Sequence, residues 1–362
     1  MYIEQELNTK RVEAFEGELV DTLNKGASAL MISIGHRTGL FDTLSDLEPS
    51  NSSEIAHAAG LNERYVREWL GAMSANGVVK IAGSNGDTKY YLPGEHAALL
   101  TRKHPEDNMA LFAQYIGLLG QVENQIVEHF QLGGGVPYSA FDGFHRVLAE
   151  ESSLTVVAAL VEHILPLIPG IFEQLDRGID VLDVGCGSGH ALNLLAEKYP
   201  NSRFTGYDLN KEPLELAISE AVDKGLTNVR FIQKDLTDFY LEDEFHLVTA
   251  FDAIHDQARP DKVLAGIHKV LSRGGTFLMQ DIAGSSEQVN NLDHPLGPLM
   301  YTISTMHCMT VSLAAGGMGL GTMWGEEKAV EMLGDAGFSD IRVERLEHDF
   351  QNVYYVLRKE NR

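Results

Sequence analysis

Two cysteines in 362 residues, Cys186 and Cys308, are too few for a disulfide framework, and reduced thiols fit a cytoplasmic protein. No stretch approaches the roughly 18 uninterrupted apolar residues that a membrane span needs. The start, Met-Tyr-Ile-Glu-Gln-Glu-Leu, has acids where a signal peptide has bases, and no apolar core follows, so the cytoplasm is the expected compartment. Base is scarce too: 28 lysines and arginines face 52 acids, for a formal charge of −24. A field of that sign repels phosphate backbones and anionic membranes, so neither nucleic acid nor membrane is an expected partner. What remains, 44% hydrophobic and 22% charged residues, is a globular composition, and the length suggests about two domains.

Three regions follow from the patterning. Residues 1–105 are expected to form an N-terminal arm and a winged-helix domain, 106–177 a helical linking and pocket region, and 178–362 a nucleoside-binding α/β domain. In the arm, Val12, Phe15, Leu19 and Leu23 recur at helical steps, predicting a helix over 1–25 whose stripe needs a cover, its own domain or a second subunit. A second helix is predicted over Ala27–Phe41. Ser52-Ser53-Glu54 reads as a serine cap on a short helix, Gly60-Leu61-Asn62 as a turn, and Glu63–Asn76 as the second helix of a helix-turn-helix. Strands are predicted at 77–81 and 89–92, joined by an Asn85-Gly86 hairpin loop. Glu63, Arg64, Arg67 and Glu68 cancel along the second helix, which argues against groove reading in DNA. Residues 106–178 read as helical, broken at Gly133-Gly134-Gly135-Val136-Pro137, with a helix over Ser153–Leu165 that Pro166 and Pro169 interrupt.

From residue 179 strands alternate with helices, which implies a mostly parallel sheet covered on both faces. Strands are expected at Asp180–Val184, Arg203–Tyr207, Val229–Gln233, His246–Phe251, Thr276–Gln280, Ile341–Arg345 and Asn352–Leu357, the last two able to pair as an antiparallel hairpin. The first ends in Asp183-Val184-Gly185-Cys186-Gly187-Ser188-Gly189. Glycines there let backbone approach a ligand lying across the strand end, and the loop is one residue tighter than a dinucleotide fingerprint. Asp208, ending the second strand, is placed to accept ribose hydroxyls, and Asp235, after the third, to accept from an adenine amino group.

This set, Asp-x-Gly-x-Gly-x-Gly followed by Asp208 and Asp235 at successive strand ends, resembles the class I S-adenosylmethionine-dependent methyltransferases over about residues 178–358. The resemblance implies a Rossmann-like seven-stranded sheet, mostly parallel with the last strand antiparallel, and S-adenosyl-L-methionine as cofactor. The cofactor contacts it implies are Asp183, Gly185, Cys186, Gly187 and Gly189, with Asp208, Leu209, Asp235, Leu236, Phe251 and Asp252 at the following strand ends.

Just past the fourth strand stand His255 and Asp256, where ligand chemistry occurs in open α/β sheets. A histidine there can take the proton of a hydroxyl as its oxygen attacks the methyl group, with the neighbouring acid or another carboxylate orienting it. The pair after a winged-helix domain is similar to small-molecule O-methyltransferases, whose motif is Leu-His-Asp-Trp-x-Asp. That likeness implies His255 as general base and an N-terminal domain that dimerises. Gln257 stands where the motif has tryptophan and Arg259 where it has the second aspartate, a variant that also resembles uncharacterised bacterial winged-helix methyltransferases.

About forty residues between the fifth strand and a helix near Gly325 lack strand pattern and carry Met300, Met306, Met309, Met318 and Met323. Met-rich, aromatic segments adapt to irregular apolar ligands and also fill ordinary cores; read as a lid or pocket wall over the methyl donor, this one offers Met300, His307 and Trp324 as candidate substrate contacts, with Tyr138 and Phe141 opposite. No metal is expected, since His307 and Cys308 are adjacent and no third ligand has suitable spacing. The expected activity is methyl transfer to a small, largely apolar molecule, at oxygen, by a homodimer; the alternative is a winged-helix sensor or regulator that binds the cofactor without turnover.

Overall fold

The computed structural model describes residues 7–83, 87–104, 108–238 and 244–360. The chain divides into two compact units, Met1–Gly117 and Leu118–Arg362, and the division falls inside the segment 106–177.

In the first unit, helix α1 (Thr9–Thr38) runs through the position where two helices were expected. Gly26 alone does not end a helix, because glycine costs only about 1 kcal/mol in a helix interior and the first proline is Pro49. The helix ends instead at Gly39, which adopts φ 71° and receives the last turn, and α2 (Leu40–Asp46) follows. Helix α3 (Ser52–Ala59) is capped not by serine but by Asn51: its side chain accepts from the Glu54 N–H, and the Glu54 carboxylate accepts from the Asn51 N–H. Helix α4 (Glu63–Ala75) buries Val66, Trp69, Leu70 and Met73, the i, i+3, i+4, i+7 face, against Leu40, Phe41, Leu44 and Ile55. The Trp69 indole N–H donates to the Met31 carbonyl at 2.8 Å and so ties α4 to α1. Strands β1 (Lys80–Ala82) and β2 (Lys89–Tyr91) pair antiparallel and are shorter than expected; the Asn85-Gly86 turn lies outside the described residues.

The second unit opens with helices and closes on the sheet. A helix from Phe144 continues through widened turns at Ser153–Val157 and Leu160–Ile164, and Pro166 ends it. The sheet comprises β3 (Asp180–Val184), β4 (Arg203–Asp208), β5 (Val229–Gln233), β6 (Phe245–Phe251), β7 (Leu271–Ile282), β8 (Ile341–Leu346) and β9 (Asp349–Arg358). Their order is β5-β4-β3-β6-β7-β9-β8, parallel except for β9, which inserts antiparallel between β7 and β8. β7 begins five residues before the expected Thr276, because Leu271 already pairs with Phe245 across an irregularity in register.

Alternation along the strands builds two cores, one on each face. Leu182, Val248, Phe277, Met279 and Tyr355 point to one side, with the helices Pro260–Val270 and Glu326–Asp335. Val181, Leu247, Leu278, Tyr354 and Val356 point to the other, with the helices over 144–177 and His190–Lys198. Both faces being covered, the open C-terminal ends of the parallel strands are where a ligand can enter.

Two glycines of α1 should respond in opposite directions. Nothing lies within 4 Å of a Cβ built on Gly26, so Gly26→Ala is expected to stabilise by up to about 1 kcal/mol through helix propensity. A Cβ on Gly35 would stand 2.6 Å from the rings of Phe41 and Trp69, so Gly35→Ala is expected to destabilise by about 1–3 kcal/mol despite the same propensity gain. Denaturant unfolding followed by Trp69 fluorescence compares them.

Candidate functional site

A single turn joins β3 to the helix His190–Lys198, and its geometry explains its glycines. Gly185, Gly187 and Gly189 sit at φ 73°, 52° and 67°, where side chains strain the backbone. A Cβ would also lie 2.6 Å from the Ala253 methyl at Gly185, and 2.5 Å from Phe231 and 2.6 Å from Ala217 at Gly189. The turn therefore presses against β5, the helix Lys211–Asp223 and the loop after β6, and leaves its outer side open to a cleft of about 350 Å³. That size suits a small-molecule site.

All eleven expected cofactor contacts line this one cleft: Asp183, Gly185, Cys186, Gly187 and Gly189 from the turn, Asp208 with Leu209, Asp235 with Leu236, and Phe251 with Asp252. Asp183 is buried and accepts from the Thr249 hydroxyl at 2.7 Å. Burial pushes its carboxyl up to about 7, against the pull of that hydrogen bond, and the nearby Asp208 adds to the rise. Asp208 accepts from the backbone N–H groups of Gly187 at 2.9 Å and Asn210 at 2.8 Å, which lock the turn to β4; burial raises its pKa while those bonds oppose the rise. Asp235 accepts from both the N–H and the hydroxyl of Thr237, so it shapes its own turn as it faces the cleft.

Beyond β6 the chain forms a charged cluster. Asp252 is the one non-glycine described residue with positive φ, 52°, and its N–H donates to the Gln280 carbonyl on β7. Such strain concentrates at functional sites. His255 is buried behind the cleft wall, whereas Asp256 and Gln257 are on it. The His255 Nδ1 lies 2.8 Å from the Asp281 carboxylate, which also accepts from the Trp324 indole at 3.0 Å and from the Ile282 N–H. Asp252 stands 3.8 Å from the same Nδ1, and Asp256 stands 3.2 Å from Nε2 without hydrogen-bond alignment. Burial disfavours charge on His255, but Asp281 and Asp256 outweigh it and hold the pKa well above its ordinary 6.5. Burial and the neighbouring acids in turn raise Asp252 to about 8, against the pull of His255.

Asp281 was not among the expected site residues. Its signal was present, a charged residue closing the apolar strand Thr276–Ile282, but the pairing with a histidine 26 residues earlier is made only by the β6–β7 register.

The expected substrate contacts divide. Tyr138 lines the cleft. Phe141 and His307 lie behind it, where Phe144 stacks on the His307 ring at 3.7 Å and Phe141 meets it edge-on at 4.7 Å. Burial lowers the His307 pKa to about 4, so it stays neutral. Met300 packs with Ile282 and Met323, and Trp324 packs in the core beneath β7, so neither lines the cleft. The methionines at these positions fill volume between helices, as apolar side chains on a covered face do.

Cys308 comes within 4.8 Å of ligand atoms of both His255 and Asp256, a proximity that its spacing from His307 did not foretell. Asp252, His255 and Asp281 converge equally closely. With its raised pKa, His255 itself supplies a cation to the carboxylates around it.

Comparison with known proteins agrees with this layout. Residues 26–102 match the Rv2258c-like winged HTH domain and residues 175–337 match a methyltransferase domain. The chain is 35% identical over 102 residues to the uncharacterized methyltransferase YcgJ of Bacillus subtilis (strain 168), covering 28% of this chain and 40% of that protein. The chain spans about half the length or less of the curated relatives it matches. Its fold is that of human N-acetylserotonin methyltransferase in complex with S-adenosylmethionine, with a TM-score of 0.69, 17% identity and coverage of 99% of this chain and 100% of that one. Mitomycin 7-O-methyltransferase MmcR superposes equally, at TM-score 0.69 and 16% identity, over 97% and 100% of the two chains. The chain thus joins residues that match a winged helix-turn-helix domain to residues that match a methyltransferase domain, in the fold of these solved methyltransferases.

Replacing the Asp281 carboxylate by an amide of the same shape removes the charge that most favours the imidazolium. Asp281→Asn is therefore expected to lower the His255 pKa, read by NMR titration of the imidazole resonances.

Proposed function

We propose that the protein transfers a methyl group from S-adenosylmethionine to the oxygen of a small molecule, with His255 as general base. The observation that carries this reading is the His255–Asp281 contact of 2.8 Å at the tip of β6, directly behind the cleft. The cofactor supplies an electrophilic methyl on a sulfonium. Asp208 and Asp235 would hold its nucleoside end, and the Gly185–Gly189 turn would let backbone lie against it. Asp183 and Asp252 would answer its positive charge; the glycines leave the room this needs and their Cβ atoms would fill it. Asp281 fixes the His255 ring so that Nε2 faces Asp256, which stands on the cleft wall, and the acceptor proton would pass to Nε2 as its oxygen attacks in line.

A second reading, a regulator that binds the cofactor without turnover, draws on the winged-helix domain. Arg64 and Arg67 of α4 pair along the helix with Glu68 at 2.5 Å and Glu63 at 3.5 Å, which spends the charges a DNA phosphate would need. The exposed stripe of α1 suits a second copy of the chain: Val12, Phe15, Leu19 and Leu23 are 49%, 59%, 49% and 74% exposed among the described residues.

His255→Ala is expected to lose about a hundredfold or more in kcat while binding S-adenosylhomocysteine as before; equal transfer by variant and parent rejects the base. The groups facing His255 are Asp252, Asp256 and Asp281, with Cys308 from the opposite helix, and together they keep it charged past its ordinary range. Since only the neutral ring accepts a proton, kcat/KM is expected to rise with pH on a limb above 6.5, and Asp281→Asn moves that limb to lower pH. The cofactor gives an independent check. Asp183 titrates at about 7 when nothing positive is beside it, and a bound sulfonium favours its ionised form. S-adenosylmethionine is therefore expected to bind more tightly as pH rises through about 7, and S-adenosylhomocysteine, which lacks the sulfonium charge, to gain less. Calorimetric Kd values for both ligands from pH 5.5 to about 8.5 test this.

A further inference from the structure

The cleft has two chemically distinct ends. Its three basic lining residues among those described gather toward β3, β4 and β5: Lys234 follows β5, His190 opens the helix after β3 and pairs with Glu220 at 2.7 Å, and the charge of His145 acts on Asp208. The end over β6, β7 and β9 is lined by Asp252, Asp256, Gln280 and Asn352, with Glu151 and Gln351 beside them.

Four side-chain oxygens at that end are buried without a hydrogen-bond partner: Asp252 Oδ1, Asp256 Oδ1, Gln280 Oε1 and Asn352 Oδ1. Gln280 is only 2% exposed and Asn352 only 4%. The strands bring them together, since Gln280 is paired with Phe251, just before Asp252, and Ile282 with Asn352. The Asn352 amide donor is spent elsewhere: Nδ2 donates to both oxygens of Asp349 at 3.0 Å, which fixes the amide with its oxygen turned away from that carboxylate. His255 stands 3.2 Å from Asp256 Oδ1 and 3.8 Å from Asp252 Oδ1 without hydrogen-bond alignment, and no described donor is bonded to Gln280 Oε1 or Asn352 Oδ1. Buried acceptors left unanswered cost free energy, and such a group at one end of a cleft marks the place where a ligand brings donors.

We infer that the methyl acceptor carries a cationic, donor-rich nitrogen, an amine or guanidine, held at the β6–β7–β9 end of the cleft by Asp256, Asn352 and Gln280. The inference rests on the methyl-transfer reading for the word acceptor, and it narrows the expected apolar molecule to an amphipathic one: Leu148, Ala149 and Val311 line the same cleft and suit a hydrocarbon or ring frame. An ammonium offers three donors and one positive charge to the oxygens of Asp256, Gln280 and Asn352. A neutral isostere leaves those oxygens unanswered, and a carboxylate faces like charge.

The test uses the full chain saturated with S-adenosylhomocysteine, which carries the same α-ammonium as the cofactor and so occupies whichever oxygens that group claims. Calorimetry at neutral pH then compares three phenols of one shape: 4-(2-aminoethyl)phenol, 4-propylphenol and 3-(4-hydroxyphenyl)propionate, and the same three side chains on a naphthol frame. The amine is expected to bind at least tenfold more tightly than the neutral member, and the acid more weakly still. Asp256→Asn, of unchanged shape, and Asn352→Leu should each cut the amine preference severalfold while S-adenosylhomocysteine binds as before; the first guards against misfolding in the second. Equal binding of amine and neutral member within twofold, preference for the acid, or no binding by either amine overturns the inference. Failure of S-adenosylhomocysteine to bind would instead overturn the cofactor reading.

Discussion

The turn from Gly185 to Gly189 is the constraint on which the site depends. Its three left-handed glycines let β3 reverse into a helix within five residues while touching Ala253, Phe231 and Ala217 at distances no Cβ could share. Because the turn is that tight, the Gly187 N–H reaches the Asp208 carboxylate, and the tips of β3 and β4 are held as one rigid edge. Contact with Ala253 carries the same constraint to the loop after β6, where Asp252 is forced to positive φ and His255 is turned inward.

The buried cluster beyond that loop is stable only as a whole. His255 between Asp281, Asp252 and Asp256 gains from its neighbours what burial takes away, and the Asp281 carboxylate is further held by the Trp324 and Ile282 N–H groups. Removing one partner of such a set leaves an uncompensated charge in the interior, worth about 3–5 kcal/mol. Trp324 therefore acts on this cluster without touching the cleft. It holds the carboxylate that holds the histidine.

How much of this could be read from sequence follows from how far apart the interacting residues lie. The glycine turn and the aspartates at 208 and 235 each mark the end of one strand, and β3, β4 and β5 were readable to within a residue because alternating or continuous apolar runs bounded them. Where periodicity has no sharp boundary, sequence places the elements less closely. Gly26 suggests a helix end, yet the helix runs on to Thr38, and the cap that serine suggests belongs to Asn51, one residue earlier. Met300 and Trp324 carried the composition of a pocket wall, but composition does not say which side of a helix or loop faces inward, and both face the core.

The acceptor end of the cleft was the least legible part for the same reason. Asp281 meets His255 through the pairing of β6 with β7, and Asn352 meets Gln280 through a strand that returns antiparallel from the end of the chain. No local motif announces such a group, because its members come from three separate stretches of the chain, 252–256, 280–281 and 352. The cofactor end must present a constant shape to a constant ligand, and short segments with special backbone suffice for it. The end over β6, β7 and β9 instead takes its character from side chains on separate strands. A fold of this kind can keep its backbone turn and change those side chains, and with them what the cleft receives.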